Sequence, residues 1–211
     1  MPTSATLETT PPLLGRRERK AAETRERIFR AAIELFACRG LSNVTVEQIT
    51  ERADVGKGTF FNYFASKEEV LAYFGASQVQ RLEEARQAGE IHGPPQQQIR
   101  QMLHLLATHP SLTNDLARAM LVAYLNLGTA AEQYCPTVWT VTGIFAQVIR
   151  DGQAEGSFCR DRNPEEAGLF LLGQFFLAQL TCCTGYCTEP FPVVVERYGS
   201  LALEALAPRR K

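Results

Sequence analysis

The chain has 211 residues, a formal net charge of −1 and 45% hydrophobic residues, which suits a globular protein with a sizeable core and excludes a polycation. Its longest apolar stretch, residues 167–180, contains two glutamines and is too short to span a bilayer, so we expect a soluble, cytoplasmic protein with no membrane partner. Residues 1–20 show no signal-peptide pattern and are predicted to form a disordered tail. Six cysteines are too sparse for a secreted disulfide scaffold, and reduced thiols are expected.

The first predicted helix follows a locally basic segment. Residues 16–30 hold seven basic and three acidic side chains, a local charge of +4 in a nearly neutral chain. Such a segment indicates an anionic partner, although a solvated helix face with internal ion pairs gives the same pattern. The helix is predicted to begin near Ala22 and to end at Gly40, and its buried face repeats at helical spacing through Ile28, Ala31, Ala32, Leu35 and Phe36.

Three further helices are predicted in quick succession. Thr45 and Gln48 form a capping-box pattern that opens a second helix, which ends near Ala53. A third short helix is predicted from about Gly56 to Tyr63. Ser66 is expected to cap a fourth helix that runs to about Ala85.

Beyond a loop at residues 88–95, the helical pattern continues to the end of the chain. Apolar spacing predicts helices near residues 99–106, 112–128, 136–156 and 163–185, and a last helix around residues 194–206. Asn163 and Pro164 match the cap and the first position of the helix that they precede. No convincing strand is present, so the fold is predicted to be all-α, with nine or ten helices.

The second and third helices are joined by only about three residues, which is a helix-turn-helix signature. Asp54 tolerates the left-handed backbone that such a turn needs, and Gly56 can open the third helix. Phe60 and Phe64 fall on one face and are expected to be buried. Lys57, Thr59, Asn62 and Tyr63 then face outward, and these are the positions at which the recognition helix of such a motif contacts DNA. Gly58 would let a partner backbone approach closely. Lys67, at the start of the fourth helix, is placed to hold a phosphate.

From Thr24 to Leu71 the sequence reads TRERIFRAAIELFACRGLSNVTVEQITERADVGKGTFFNYFASKEEVL. This segment resembles the DNA-binding region of the TetR-like transcriptional regulators. The resemblance implies a homodimer that binds duplex operator DNA through residues 21–67. It also implies that a helical domain, residues 68–211, dimerises and binds a small molecule that displaces the protein from the operator.

The resemblance assigns roles to single positions. It implies that Thr45 contacts a phosphate through its hydroxyl or backbone N–H, and that Tyr63 and Lys67 also contact phosphates. It implies that Lys57 and Thr59 contact bases or phosphates.

Two positions depart from the family pattern, and a third has two interpretations. Gly56 stands where the family usually has a serine cap. Phe61 replaces a tyrosine that reaches phosphate, and its ring can instead pack on a sugar or a thymine methyl. Asn62 either pairs with adenine or points to solvent.

Candidate effector-binding and dimer residues come from the second domain. Apolar and aromatic side chains at helical spacing are candidate cavity walls, with a polar residue as anchor, and the same side chains equally suit a plain core. The candidates are Met102, His104, Leu106, Met120, Tyr124, Trp139, Phe145 and Gln147. The dimer is expected to form through residues 137–153 and 164–180, with Leu172 and Phe176 at the interface.

Alternative functions were weighed against this interpretation. Cys182, Cys183 and Cys187 suit a buried core, a redox sensor or a metal site, and three cysteines without a spaced fourth ligand argue weakly for zinc. His104 and His109 are candidates to bind a metal or a carboxylate, but structural roles are commoner. No hydrolase, nucleotide-binding or metalloprotease motif is present. We therefore expect a ligand-responsive repressor without a cofactor or metal. The first alternative is a thiol-based redox regulator on the same scaffold. A helical enzyme or ligand carrier is a more remote one.

Overall fold

The computed structural model describes residues 15–109, 112–125 and 129–208, and for residues 114–115, 122–125 and 129–135 it describes the helical backbone only. The described chain is helical. Its helices are α1 (Arg16–Arg39), α2 (Val46–Arg52), α3 (Lys57–Phe61), α4 (Lys67–Gln87), α5 (Pro95–Ala107), α6 (Asn114–Leu125), α7 (Thr129–Glu155), α8 (Pro164–Cys183) and α9 (Phe191–Ala205), with a 3-10 turn at Leu41–Asn43 after α1. The prediction of an all-α fold is confirmed.

Helix termini follow the predicted caps. Thr45 and Gln48 form a reciprocal capping box at α2, the Ser66 hydroxyl accepts from the Glu69 backbone N–H at α4, and Asn163 accepts from the backbone N–H groups of Glu165 and Glu166 at α8. Each cap satisfies amides that the first helical turn leaves unpaired. These short-range patterns therefore set the start of three helices.

Other boundaries differ from the prediction. α1 begins at Arg16, about six residues early, with the Glu18 carboxylate accepting from the Gly15 backbone N–H. α3 ends at Phe61, so Asn62 is its C-cap and Tyr63 lies in the following turn. α7 begins at Thr129 and contains Pro136 within the helix rather than near its start. The difference at the end of α3 lies within the one or two residues over which helix ends fray.

Two hydrophobic clusters divide the molecule. The lower cluster joins α1 to α4 and includes Phe36, Ile49, Phe60, Phe64 and Phe74. The upper cluster joins α4, α5 and α7 to α9. α4 is shared between them, because Val70, Leu71 and Phe74 lie in the lower cluster and Val79 and Leu82 in the upper one. This helix of 21 residues is about 30 Å long at 1.5 Å per residue.

α6 provides a second connection between the clusters. Leu116 and Ala119 are buried in the lower cluster. The Thr113 hydroxyl donates to the Ala37 carbonyl at the end of α1, at 3.2 Å. α6 also packs on α7 and α8. The upper cluster is thus connected to α1 through two helices, α4 and α6.

α7 and α8 pack closely because a glycine lies at their crossing. A Cβ at Gly168 would lie 2.7 Å from the Thr142 carbonyl oxygen and 3.1 Å from the Ala146 backbone nitrogen. α8 also has the length and composition of a membrane span, but 44% of its most apolar window is buried inside the protein. The contacts with α7 and α9 make it a core helix.

Candidate nucleic-acid interface and internal cavity

The turn between α2 and α3 has the geometry that the sequence predicts. Asp54 has φ of 51°, the one positive φ at a non-glycine residue among the described part of the chain. Asparagine and aspartate are the side chains that tolerate this conformation best after glycine. The turn sets α3 across α2, with Phe60 and Phe64 fully buried beneath it. The opposite face of α3 is consequently directed to solvent.

Thr45 lies exposed at the start of α2. Its backbone N–H donates to the Gln48 side chain at 3.0 Å, and its hydroxyl oxygen accepts from the Gln48 backbone N–H at 3.3 Å. The backbone donor is therefore already used. The hydroxyl proton stays available, because a hydroxyl both donates and accepts.

Lys57 is exposed at the first position of α3 and forms a salt bridge with Glu47 of α2. The hydrogen bond from Lys57 is the main reason that the pKa of the Glu47 carboxyl lies below its usual value. Both groups are solvated, and exposed pairs of this kind contribute little to stability. A phosphate can therefore compete for the Lys57 ammonium at small cost.

The outer surface of α3 has little side-chain bulk at Gly58 and is apolar at Phe61. A Cβ added at Gly58 would meet no atom within 4 Å, so nothing in the fold itself requires glycine there. Phe61 is 49% exposed and packs edge-on against Phe60 at 5.4 Å between ring centroids. Asn62 is exposed as well, whereas Thr59 and Tyr63 are half-buried.

Lys67 lies in a more enclosed position than the other candidates. Its ammonium donates to the carbonyl oxygens of Leu41 and Val44, at 2.7 and 2.9 Å. These carbonyls belong to the connection between α1 and α2. Since an ammonium has three donors, one remains for a phosphate. Lys67 therefore fastens the base of the helix-turn-helix to α4, a role that sequence reasoning missed.

Arg25 is a further residue of this surface that the sequence did not single out. Its guanidinium lies 4.3 Å from the Tyr73 ring centroid and 5.4 Å from that of Phe64. Cation–π contacts of this kind hold α1 against α4. Their partners are scattered along the sequence, so periodicity could not reveal them.

A cavity of about 90 Å³ lies between the two clusters. Its walls come from α4 (Phe74, Gly75, Gln78, Val79), α5 (Leu106), the α5–α6 segment (Leu112), α6 (Met120), α7 (Thr137, Val138, Val141) and α8 (Leu172, Phe175, Phe176, Gln179). None of these described lining residues is charged. α4, whose first residue Lys67 bonds to the connection between α1 and α2, thus also forms one wall of the cavity.

The predicted effector-binding residues are distributed differently. Leu106 and Met120 line the cavity. Met102 and Phe145 are buried in the core beside it. His104 and Gln147 are exposed, Gln147 bonding to Asp151, and Trp139 is 61% exposed. The side chain of Tyr124 lies outside the described residues. The α4 wall was missed because the sequence of α4 has no simple apolar stripe.

The two predicted dimer residues face inward. Leu172 is only 5% exposed, and both Leu172 and Phe176 line the cavity. The exposed large apolar side chains of α8 and α9 lie elsewhere, and we call them the apolar stripe: Leu169, Phe170, Leu177 and Leu180 of α8 with Val193 and Leu201 of α9. α8 is apolar nearly all round, so its sequence could not show which side faces outward.

The cysteine cluster lies where α8 ends. Cys182 and Cys183 are buried and Cys187 is half-buried, and none of the three forms a disulfide. Burial is the main cause that raises the pKa of the Cys182 thiol, which disfavours the reactive thiolate. Cys187 lies 3.8 Å from the Tyr198 hydroxyl and 3.6 Å from an Arg197 nitrogen. Within the described residues, no group of three His, Cys, Asp or Glu side chains is placed to hold a metal.

Comparison with known proteins identifies the helix-turn-helix. The family model described as bacterial regulatory proteins, tetR family, matches residues 28–74. The regulator TcmR of Streptomyces glaucescens is 52% identical over 56 residues, 26% of this chain and 25% of TcmR. The chain thus matches only about a quarter of that relative's length.

Solved structures extend the similarity to most of the chain. FadR of Thermus thermophilus, a TetR-family repressor in complex with lauroyl-CoA, is 30% identical, with 89% of this chain and 97% of FadR covered and a TM-score of 0.70. FadR of Bacillus subtilis, in complex with stearoyl-CoA, shares the fold at 16% identity, with 86% and 98% covered and a TM-score of 0.71. The chain is therefore a member of the TetR family of helix-turn-helix transcriptional regulators, which are not enzymes.

Proposed function

We propose that the protein is a cytoplasmic, homodimeric repressor that a small, largely apolar molecule releases from its operator. The observation that carries this proposal is the position of α4. Its first turn holds the helix-turn-helix through Lys67, and its middle forms a wall of the apolar cavity through Phe74, Gly75, Gln78 and Val79. One rigid element therefore joins the DNA-facing surface to a potential ligand site.

DNA binding would use the outer face of α3 and the start of α2. Lys57, Thr59 and Asn62 are proposed to lie in the major groove, and Gly58 and Phe61 to approach the groove wall. Thr45, Tyr63 and the third donor of Lys67 are proposed to contact phosphates. Phosphate contacts fix the orientation of the protein, and base contacts give specificity.

The dimer is proposed to form through the apolar stripe. Six large apolar side chains exposed on two neighbouring helices exceed what a monomer surface usually shows, and such patches mark interfaces. In this dimer Leu172 and Phe176 would support the interface from inside. Two-fold symmetry would place the two α3 helices on half-sites about 34–36 Å apart, or a multiple of that distance.

The cavity is proposed to couple ligand binding to DNA binding. At about 90 Å³ it is smaller than the pockets of roughly 300–1,000 Å³ that enclose drug-sized ligands. A ligand of that size must therefore move the walls apart, and α4 and α6 are the walls connected to α1 and the helix-turn-helix. The FadR relatives bind acyl-CoA molecules whose chains are apolar, which agrees with an apolar lining here.

The test is operator selection from a random pool of duplex DNA, followed by affinity measurements on the selected sequence. We expect a pseudo-palindrome that binds about 10³-fold or more tightly than random DNA. The affinity of the variant Gly58→Ala is measured beside that of the wild type. The new methyl group would meet no atom of the protein within 4 Å, but it adds bulk to the surface that is proposed to approach DNA. It should remain folded and bind the operator more weakly. Selection of no preferred sequence would exclude the proposed function.

A further inference from the structure

Gln179 is an unusual residue in the wall of the cavity. It is 1% exposed, and its side-chain oxygen Oε1 has no hydrogen-bond partner among the described residues. A buried polar atom without a partner costs free energy, and native structures seldom retain one without a reason. The same residue lines a cavity whose other surfaces are almost entirely apolar. A ligand that supplies the missing partner would remove this cost.

The other polar groups near the cavity narrow the chemistry of the ligand. Gln78 lies 3.5 Å from an Arg81 nitrogen, and Thr137 is only half-buried. No described lining residue is charged, so an ionic ligand group would contact no counter-charge in the cavity wall; the Arg81 guanidinium bonds to Gln78 but does not line the cavity. His109 packs edge-on against Phe74 at 5.0 Å between ring centroids, and burial, followed by the charge of Arg81, lowers its pKa. A neutral imidazole behind this wall adds no charge at neutral pH.

Aromatic rings supply most of the remaining wall. Phe175 and Phe176 lie edge to face at 6.1 Å, and Phe74 faces the same space from α4. Rings in such arrangements favour a further aromatic partner over an aliphatic one. Gln179 lies three residues after Phe176 on α8 and is therefore on the same face of that helix.

We infer that the effector is an uncharged, apolar molecule with a hydroxyl group that pairs with the Gln179 side chain, a phenol being the simplest example. The inference rests on the proposed function, since it names the ligand class of the cavity described there. A hydroxyl both donates and accepts, so it satisfies the amide whichever of its two ends faces the ligand. Lauroyl-CoA, the ligand of the Thermus FadR, carries phosphates that the described lining has no charge to neutralise.

The experiment compares three small probes by calorimetric titration into the full-length protein: para-ethylphenol, ethylbenzene and para-ethylbenzoate. They share an apolar body and differ in having a hydroxyl, no polar group or a carboxylate. The wild type should bind the phenol about tenfold more tightly than ethylbenzene, as expected for one buried hydrogen bond. It should bind the benzoate most weakly. Equal affinities, tighter binding of the benzoate, or binding of none of the three would overturn the inference.

Two variants locate the hydrogen bond. Gln179→Leu keeps the volume and removes the amide, so it should unfold at a higher temperature, retain ethylbenzene binding and lose the preference for the phenol. Thr142→Val is the matched control, because Thr142 Oγ1 is the other buried side-chain oxygen without a partner among the described residues, and Thr142 does not line the cavity. It should keep the preference. A preference that survives Gln179→Leu would place the phenol elsewhere.

Operator affinity separates this inference from the proposed function. If the phenol binds through Gln179 and leaves operator affinity unchanged, the ligand class stands and the proposed release mechanism fails. If ethylbenzene weakens operator binding as much as the same concentration of the phenol does, the release mechanism stands and the role of Gln179 fails.

Discussion

Lys57 and Lys67 are both proposed to contact DNA, but their surroundings differ. Lys57 is exposed and paired only with a solvated carboxylate, whereas Lys67 donates to two backbone carbonyls. The sequence indicated that both are near DNA, because the family pattern carries both. It could not show the carbonyls that Lys67 holds, since these lie 23 and 26 residues earlier in the chain.

The two lysines should therefore respond differently to replacement by alanine. Lys67→Ala should lower the free energy of unfolding by about 1–2 kcal/mol, since two acceptors lose a charged donor. Lys57→Ala should change it by less than about 0.5 kcal/mol. Urea denaturation measures both. Equal stability losses would contradict the assigned roles.

DNA titrations at several salt concentrations separate the contacts of the same two variants. If each lysine contacts one phosphate, each substitution should reduce the slope of log affinity against log salt by about 0.9. If Lys57 instead contacts a base, Lys57→Ala should change sequence preference. An unchanged slope and unchanged preference would exclude Lys57 from the interface.

At the scale of whole helices, local patterns predicted the starts of the capped helices α2, α4 and α8 well, and the starts of α1 and α7 and the faces of α4 and α8 less well. The caps at Thr45, Ser66 and Asn163 depend on residues three or fewer positions away, so the sequence reveals them. The faces of α4 and α8 depend on which helices pack against them. For α8 this assigned Leu172 to the wrong side, because apolar residues surround the helix.

The crossing of α7 and α8 gives a sharp test of helix packing. Gly168→Ala should destabilise the protein by about 1–3 kcal/mol, because the new methyl group would meet backbone atoms of α7. Gly143→Ala is the control within α7, where a Cβ meets nothing within 4 Å, and better helix propensity should make it neutral or slightly stabilising. Thermal unfolding compares them. A tolerated Gly168→Ala would mean that the helices are further apart than described.

For the molecule as a whole, the proposed dimer depends on the apolar stripe. If it forms there, Leu177→Glu should convert it to a folded monomer, because a carboxylate would be buried at the proposed two-fold interface. Tyr186→Glu is the control, since Tyr186 is also exposed but outside the stripe. Light scattering gives the mass and circular dichroism the helix content. A dimeric Leu177→Glu protein would move the interface to another surface.

The central claim is that opening the cavity at α4 weakens operator binding, and the operator affinity of Gly75→Leu tests it without any ligand. A Cβ at Gly75 would make an ordinary contact with Thr137 at 3.6 Å, so Gly75→Ala should bind the selected operator as the wild type does. The larger leucine places its side chain in the cavity of about 90 Å³ that α4 and α7 line, as a bound ligand would, and a coupling of about 1–3 kcal/mol would weaken binding roughly 5–150-fold. A folded, dimeric Gly75→Leu protein with wild-type operator affinity would contradict the account.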